Sequence, residues 1–257
     1  MNPFNNANAY ERYMGDWSRQ AGAAFLQWLA QPAHLSWLDC GCGSGAFTAL
    51  IWQHMAPSQL HGIDISDELL ACARKRLPEA VALQKQSVID LTFANETFDV
   101  ATMALVLVFI PEAEHLRGIK EMCRVVRRGG TVATYMWDLP DGFPYATAFT
   151  LLREYGVLPQ RAAQEDSTSL ASLQTLWQAA GLQHIETLAF DINLHYQDFD
   201  TYWQTLQGSA SMGEQLAALS SDRRTEIRKE LETRLSLTND GNIDVSARAH
   251  AVKGIRP

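Results

Sequence analysis

Asp39, Gly41, Gly43 and Gly45 stand two residues apart, with Cys40, Cys42 and Ser44 between them. Glycine has no Cβ, so such a run permits a tight turn and lets a ligand approach bare main chain. The run follows the apolar pair Trp37-Leu38 and precedes an apolar, helix-like stretch from Ala46 to Met55. Strand, glycine turn and helix in that order describe a nucleotide-type pocket at the end of a first parallel strand. Farther on, Leu60-His61-Gly62-Ile63 reads as a short buried strand that ends in Asp64. A carboxylate there can accept hydrogen bonds from both hydroxyls of a ribose. Capping of the helix that begins near Asp67 is the other role open to Asp64, but Ser66 is better placed for it.

Spacing separates the candidate nucleotides. A dinucleotide fingerprint has glycines at its first, third and sixth positions. Here they fall at the first, third and fifth, with Ala46 sixth. With Asp39 two residues ahead, the segment resembles motif I of the class I, Rossmann-like, S-adenosylmethionine-dependent methyltransferases. The resemblance implies that Asp39, Gly41, Cys42, Gly43 and Gly45 surround the methionine half of that cofactor. It places Asp64 on the ribose, with Ile65 beside it. Residues 87–99 resemble the family's adenine segment, with Leu91-Thr92-Phe93 and Phe98-Asp99 in register. The departure is Ser87, where the family commonly has an aspartate. A serine hydroxyl still accepts from the adenine amino group, without charge assistance, and the main-chain amide of Val88 serves a ring nitrogen. Ala104 completes the implied binding set. The cofactor implied is S-adenosylmethionine, with S-adenosylhomocysteine as product.

The elements that must hold these residues follow in order. Residues 100–110 form an apolar run resembling the fourth strand and its exit. In 112–126, Leu116, Ile119, Cys123 and Val126 recur at helical spacing. Residues 121–130 resemble the helix, turn and glycine pair before the family's fifth strand, here 131–137; Gly129-Gly130 suits a helix end and reversal. At the other end, 10–18 resemble a segment in a group of mostly uncharacterised bacterial methyltransferases that leads into a first helix. The resemblance implies that Tyr13 and Trp17 cover the methionine end, with Arg12 or Arg19 near its carboxylate. Simple packing of an amphipathic helix through Phe25, Trp28 and Leu29 stays open as the alternative.

After residue 137 the periodicity predicts helices near 145–155, 170–180, 199 onward and 221–235, and strands over 185–196 and 243–252. The expected fold class is therefore α/β: a Rossmann-like, doubly wound, mostly parallel seven-stranded sheet with an antiparallel last strand, an N-terminal helix and a helical lid insertion after strand five. Residues 1–257 read as a single methyltransferase domain. Within it, 36–137 form the cofactor-binding core, 138–183 and 198–238 the helical insertions, and 184–196 and 242–253 the C-terminal strands. Aromatic residues in the insertion, among them Trp137, Tyr145, Tyr202 and Trp203, suit either a flat, apolar small molecule or the core of a helical subdomain.

Composition narrows the partners. Apolar content of 47% with 19% charged residues belongs to a globular chain with an ample core. The first residues carry no basic-then-apolar leader, and no apolar run is long enough to span a bilayer. Cys40, Cys42, Cys72 and Cys123 lack the second cluster that a metal site requires. They read as buried reduced thiols of a cytoplasmic protein. A net charge of −8 disfavours nucleic acid, because that affinity rests on Lys and Arg neutralising phosphates. The fourth strand also lacks the Asn/Asp-Pro-Pro-Tyr/Phe motif of many methyltransferases acting on amino groups of bases or glutamine.

The expected function is in-line methyl transfer to an unidentified small-molecule acceptor. No residue announces itself as a catalytic base: Tyr135, Asp138 and His115 lie near the expected sheet edge, and each has a structural explanation. A non-catalytic cofactor-binding protein with a degenerate acceptor site is the alternative from another class. A nicotinamide-linked dehydrogenase fails on the glycine spacing.

Overall fold

The computed structural model describes residues 7–139, 142–159, 167–235 and 242–257, with backbone alone for 7–12, 210 and 211. The sheet orders its seven strands β3-β2-β1-β4-β5-β7-β6. They are β1 (Ser36–Cys40), β2 (Gln59–Asp64), β3 (Ala82–Lys85), β4 (Phe98–Ala104), β5 (Val126–Trp137), β6 (Gln183–Tyr196) and β7 (Ile243–Ile255). The first five run parallel; β7 is antiparallel to both of its neighbours. The fold is thus the expected doubly wound sheet with one reversed strand. Strand order reverses between β1 and β4, and in such sheets the crevice beyond that switch point receives the ligand.

Successive side chains of a strand face opposite sides, and two cores result. On one side Trp37, Val100, Tyr135 and Trp137 pack with α1 (Ala7–Leu29) and α2 (Ala46–Met55). On the other, Leu38, Ala101, Met103 and Val132 pack with α4 (Glu112–Val125) and α6 (Leu170–Ala179). Ser66 caps α3 (Asp67–Arg76) by accepting from the Leu69 N–H, as its position predicts. The remaining helices are α5 (Ala146–Glu154), α7 (Phe199–Gln207), α8 (Ala210–Ala217) and α9 (Ser221–Arg234).

Three local expectations change. The run 100–110 is strand only to Ala104; Leu105 turns out of the sheet with φ 60°, and a 3₁₀ turn covers Leu107–Phe109. The chain has reached the sheet edge there, and the Leu105 N–H finishes the ladder on the Tyr135 carbonyl. Gly129-Gly130 does not cap a helix, because β5 already begins at Val126. A Cβ at Gly130 would lie 2.5 Å from the Asp99 carbonyl oxygen, so that glycine permits a close strand approach. The four-residue β3 and the eight-residue α8 are too short for a periodicity to emerge.

Beyond the end of β5, which pairs Trp137 with Ala249, β6 and β7 continue for six further pairs, from Asp191–Arg248 to Tyr196–Ile243. At strand rise that is a ribbon of about 20 Å projecting past the ligand-binding edge. Helices α7, α8 and α9 are inserted at its tip, and α7 also contacts α1.

Candidate cofactor and acceptor site

Each glycine of the loop is needed for a different reason. All three take left-handed φ values, 76°, 53° and 80° for Gly41, Gly43 and Gly45. A Cβ on Gly41 would meet Val106 at 2.5 Å, and one on Gly45 would meet Leu77 of the α3 exit at 2.9 Å. Around Gly43 there is open space within 4 Å. The outer glycines thus let the loop press on protein, whereas the middle one borders open space. The Gly41 and Cys42 N–H groups both donate to the Ile63 carbonyl, tying the loop to β2. Burial pushes the Cys40 and Cys42 thiols up, so both stay protonated.

Asp39 lies fully buried beneath this loop. One carboxylate oxygen accepts from the Thr48 hydroxyl at 2.6 Å; the other, Oδ1, has no hydrogen-bond partner among the described residues. Desolvation by burial raises its pKa to about 7, the Thr48 hydrogen bond opposes the rise, and the charge of Asp64 adds to it. Asp64 accepts from the Gly43 N–H through Oδ2 and from the Ser66 N–H through Oδ1, both at 2.9 Å. A carboxylate has about four lone-pair sites, so two remain for ligand hydroxyls. Next to it Ile65 is 67% exposed, an apolar side chain with no protein face to cover.

Residues 87–95 lie along the same edge. Ser87 and Asp90 form an isolated antiparallel bridge, and Val88 is buried against α4. The Arg124 guanidinium tacks this segment down, donating to the carbonyls of Leu91 and Phe93 and to Asn95 Oδ1. Glu121 pairs with it, and the Arg124 hydrogen bond holds that carboxyl below the usual range. Arg124 was visible in sequence only as part of a family-like stretch; its role needed the fold. Ala104 ends β4 half-buried, directly before the strained Leu105.

Tyr13 and Trp17 are gathered elsewhere. Trp17 is 1% exposed, and its indole N–H faces the Tyr145 and Tyr196 hydroxyls at 3.2 and 3.3 Å. Tyr13 stacks on Tyr145 at 4.4 Å. Both rings tie α1 to Tyr145, the residue that caps α5, and Trp17 also reaches Tyr196 at the end of β6. Trp137, Tyr202 and Trp203 are buried in the same large core. The Arg12 side chain lies outside the described residues, and Arg19 pairs with Asp16 on the surface.

Comparison with known proteins now adds to this geometry. A family model described as "Methyltransferase domain" matches residues 38–134, from β1 through β5 and so across the loop, Asp64, the 87–95 segment and Ala104. Over residues 38–134 the chain is similar to a methyltransferase domain. A demethylmenaquinone methyltransferase of Bacteroides fragilis is 29% identical over 140 residues, 52% of this chain and 55% of that protein. A trans-aconitate 2-methyltransferase of Acidovorax is 32% identical over 139 residues, 51% of this chain and 49% of that one. The chain therefore spans about half the length of these curated relatives. Phosphoethanolamine N-methyltransferase 2 of Haemonchus contortus, solved with S-adenosyl-L-methionine, superposes with a TM-score of 0.59 at 18% identity. That match covers 97% of this chain and 56% of the other, and carries the methyltransferase fold through the inserted helices as well.

Proposed function

We propose that this protein uses its methyltransferase domain to transfer a methyl group from S-adenosylmethionine to a small-molecule acceptor in the cytoplasm. One observation carries the reading: the unpartnered Oδ1 of Asp39 lies beneath a loop whose middle glycine opens onto empty space. A dinucleotide's pyrophosphate would gain nothing from a buried carboxylate, whereas an α-ammonium group would. Asp39, Gly41, Cys42, Gly43 and Gly45 then hold the amino-acid half. Asp64 receives the ribose hydroxyls, and exposed Ile65 covers the base. Ser87 and the Val88 amide read the adenine edge. Ala104 closes the floor, and Tyr13 and Trp17 brace the helix that covers the methionine end.

When bound, the cofactor supplies an electrophilic methyl group on a sulfonium whose leaving sulfide is neutral. The protein's part is alignment and exclusion of water. The small-molecule reading is supported by the two relatives, both named for small-molecule acceptors; the aromatic residues of the insertion are core of the helical part. Titration calorimetry tests the reading: saturable binding of S-adenosylmethionine and S-adenosylhomocysteine is expected, with NADH binding more weakly. Failure to bind either sulfur compound would overturn it.

A further inference from the structure

Beyond the cofactor loop, a second pair of titratable groups sits at the same sheet edge. His250 of β7 pairs across the strand with Met136, one residue past the Ala104–Tyr135 pair that marks the end of β4. Its Nδ1 lies 3.0 Å from the Thr168 carbonyl. A carbonyl only accepts, so Nδ1 carries the proton and Nε2 presents a lone pair when the ring is neutral. That nitrogen faces the Asp138 carboxylate at 3.7 Å, too far for a direct hydrogen bond. Both side chains are 11% exposed.

The pair is held from outside rather than by itself. The Thr168 carbonyl fixes the imidazole. Asp138 is fixed by main-chain bonds: its N–H donates to the Arg248 carbonyl, its carbonyl accepts from the Gly142 N–H, and the Arg248 N–H returns to the Gly142 carbonyl. The Asp138 carboxylate has no hydrogen bond to any described residue. The gap is one that an amine nitrogen or a water, with two hydrogens to donate, would bridge at about 2.8 Å from both groups, whereas a hydroxyl would give its one hydrogen to Nε2. Other charges near the pair among the described residues are the Arg248 guanidinium, which feels Asp138, and Asp191, to which Arg248 is bound. The cross-strand neighbours Met136 and Ala189 are uncharged, as are Leu173 and Trp177 of α6 on the same face.

We propose that His250 is the general base of this methyltransferase, removing a proton from an acceptor O–H or N–H group through Nε2, while Asp138 stabilises the imidazolium. This rests on the functional reading above. The acceptor's O–H or N–H bond breaks and an Nε2–H bond forms. The electron pair stays on the acceptor atom, which takes the methyl group as the carbon–sulfur bond breaks toward sulfur. The imidazolium then returns its proton to solvent. A carboxylate acceptor has no proton to give and is repelled by Asp138, so the pair selects protic, uncharged or cationic groups.

His250→Asn is the informative variant, because its amide N–H can keep the bond to Thr168 while no base remains. Labelled S-adenosylmethionine is supplied with naphthalene-1,4-diol and catechol as O–H acceptors, phenethylamine as the N–H acceptor and benzoate as a carboxylate. Transfer to at least one protic compound and none to benzoate is expected. The variant should lose about 10²–10⁴-fold in kcat with little change in KM. It should also lose the acid limb of the pH profile and regain rate with added imidazole. Independently of activity, ¹⁵N shifts of the resting protein should report the Nδ1–H tautomer of His250. Transfer to benzoate alone, transfer to none of the four, an Nε2–H tautomer, or a variant keeping a third of the wild-type rate would each overturn the proposal. Calorimetry with S-adenosylhomocysteine runs beside these assays: loss of binding in the wild type defeats the methyltransferase reading itself, whereas intact binding confines the failure to His250.

Discussion

Three glycines two residues apart look interchangeable in a sequence, yet their surroundings separate them. Gly43→Ala places a methyl group in open space at φ 53°, so it costs only the left-handed penalty, about 1–2 kcal/mol. It should weaken S-adenosylhomocysteine binding in calorimetry more than it lowers the unfolding midpoint. Gly41→Ala adds a clash with Val106 to the same penalty and should lose stability first. Equal effects of the two on folding and binding would contradict this division. Asp39 gives a second test. Its carboxyl titrates at about 7 when folded against an ordinary 3.8, so the folded chain holds the extra proton between those values. Stability from this group is therefore lost as pH rises from about 4 to 7 and is level above, a total of roughly 4 kcal/mol. Asp39→Asn removes that loss. Its advantage over wild type in urea unfolding of the ligand-free protein should be large at pH 8 and vanish near pH 4; a constant gap would refute the assignment.

At the scale of elements, the order of strands and helices was legible because long apolar runs and 3.6-residue stripes report burial directly. The α4 stripe is a partial case: of Leu116, Ile119, Cys123 and Val126, Ile119 is fully buried in the helix, Leu116 and Cys123 are half-buried, Val126 already begins β5, and Gly118, Met122 and Val125 complete the buried face. What stayed hidden were features made by distant partners. The end of β4 at Ala104 depends on where β5 stops supplying hydrogen bonds, which no local pattern in residues 100–110 records. The grip of Arg124 on residues 91–95 is likewise a tertiary fact. Arg124→Met should loosen the adenine-side segment without touching the ligand. It should weaken S-adenosylhomocysteine binding about tenfold, equivalent to 1.4 kcal/mol. Arg124→Lys should rescue little, since one ammonium cannot fork to several carbonyls. Full affinity in both variants would show the segment to be held by packing alone.

For the whole molecule, the β6–β7 ribbon carries the chain past the C-terminal end of the parallel strands. It carries α7–α9 past the sheet edge, and α5 and α9 are joined there by the Arg234–Glu154 ion pair. The acidic balance of the chain acts at this scale too. With a net charge of −8, the protein should bind a single-stranded RNA oligonucleotide no more tightly than a neutral control protein at 0.15 M salt. Salt-dependent binding in a filter or polarisation assay would overturn the small-molecule reading of its partners.

The sequence alone determined the class of fold, the glycine turn after the first strand and the acid at the end of the second. Those signals are local: glycine spacing, an apolar run and its terminating carboxylate all lie within about thirty residues. Tertiary structure alone decided which loop glycine has open space around it, that Trp17 is committed to the Tyr145 and Tyr196 hydroxyls, and that His250 meets Asp138. The Trp17 and His250 contacts join residues more than a hundred positions apart, and no periodicity along a chain encodes a distance between strands that only the folded sheet makes neighbours.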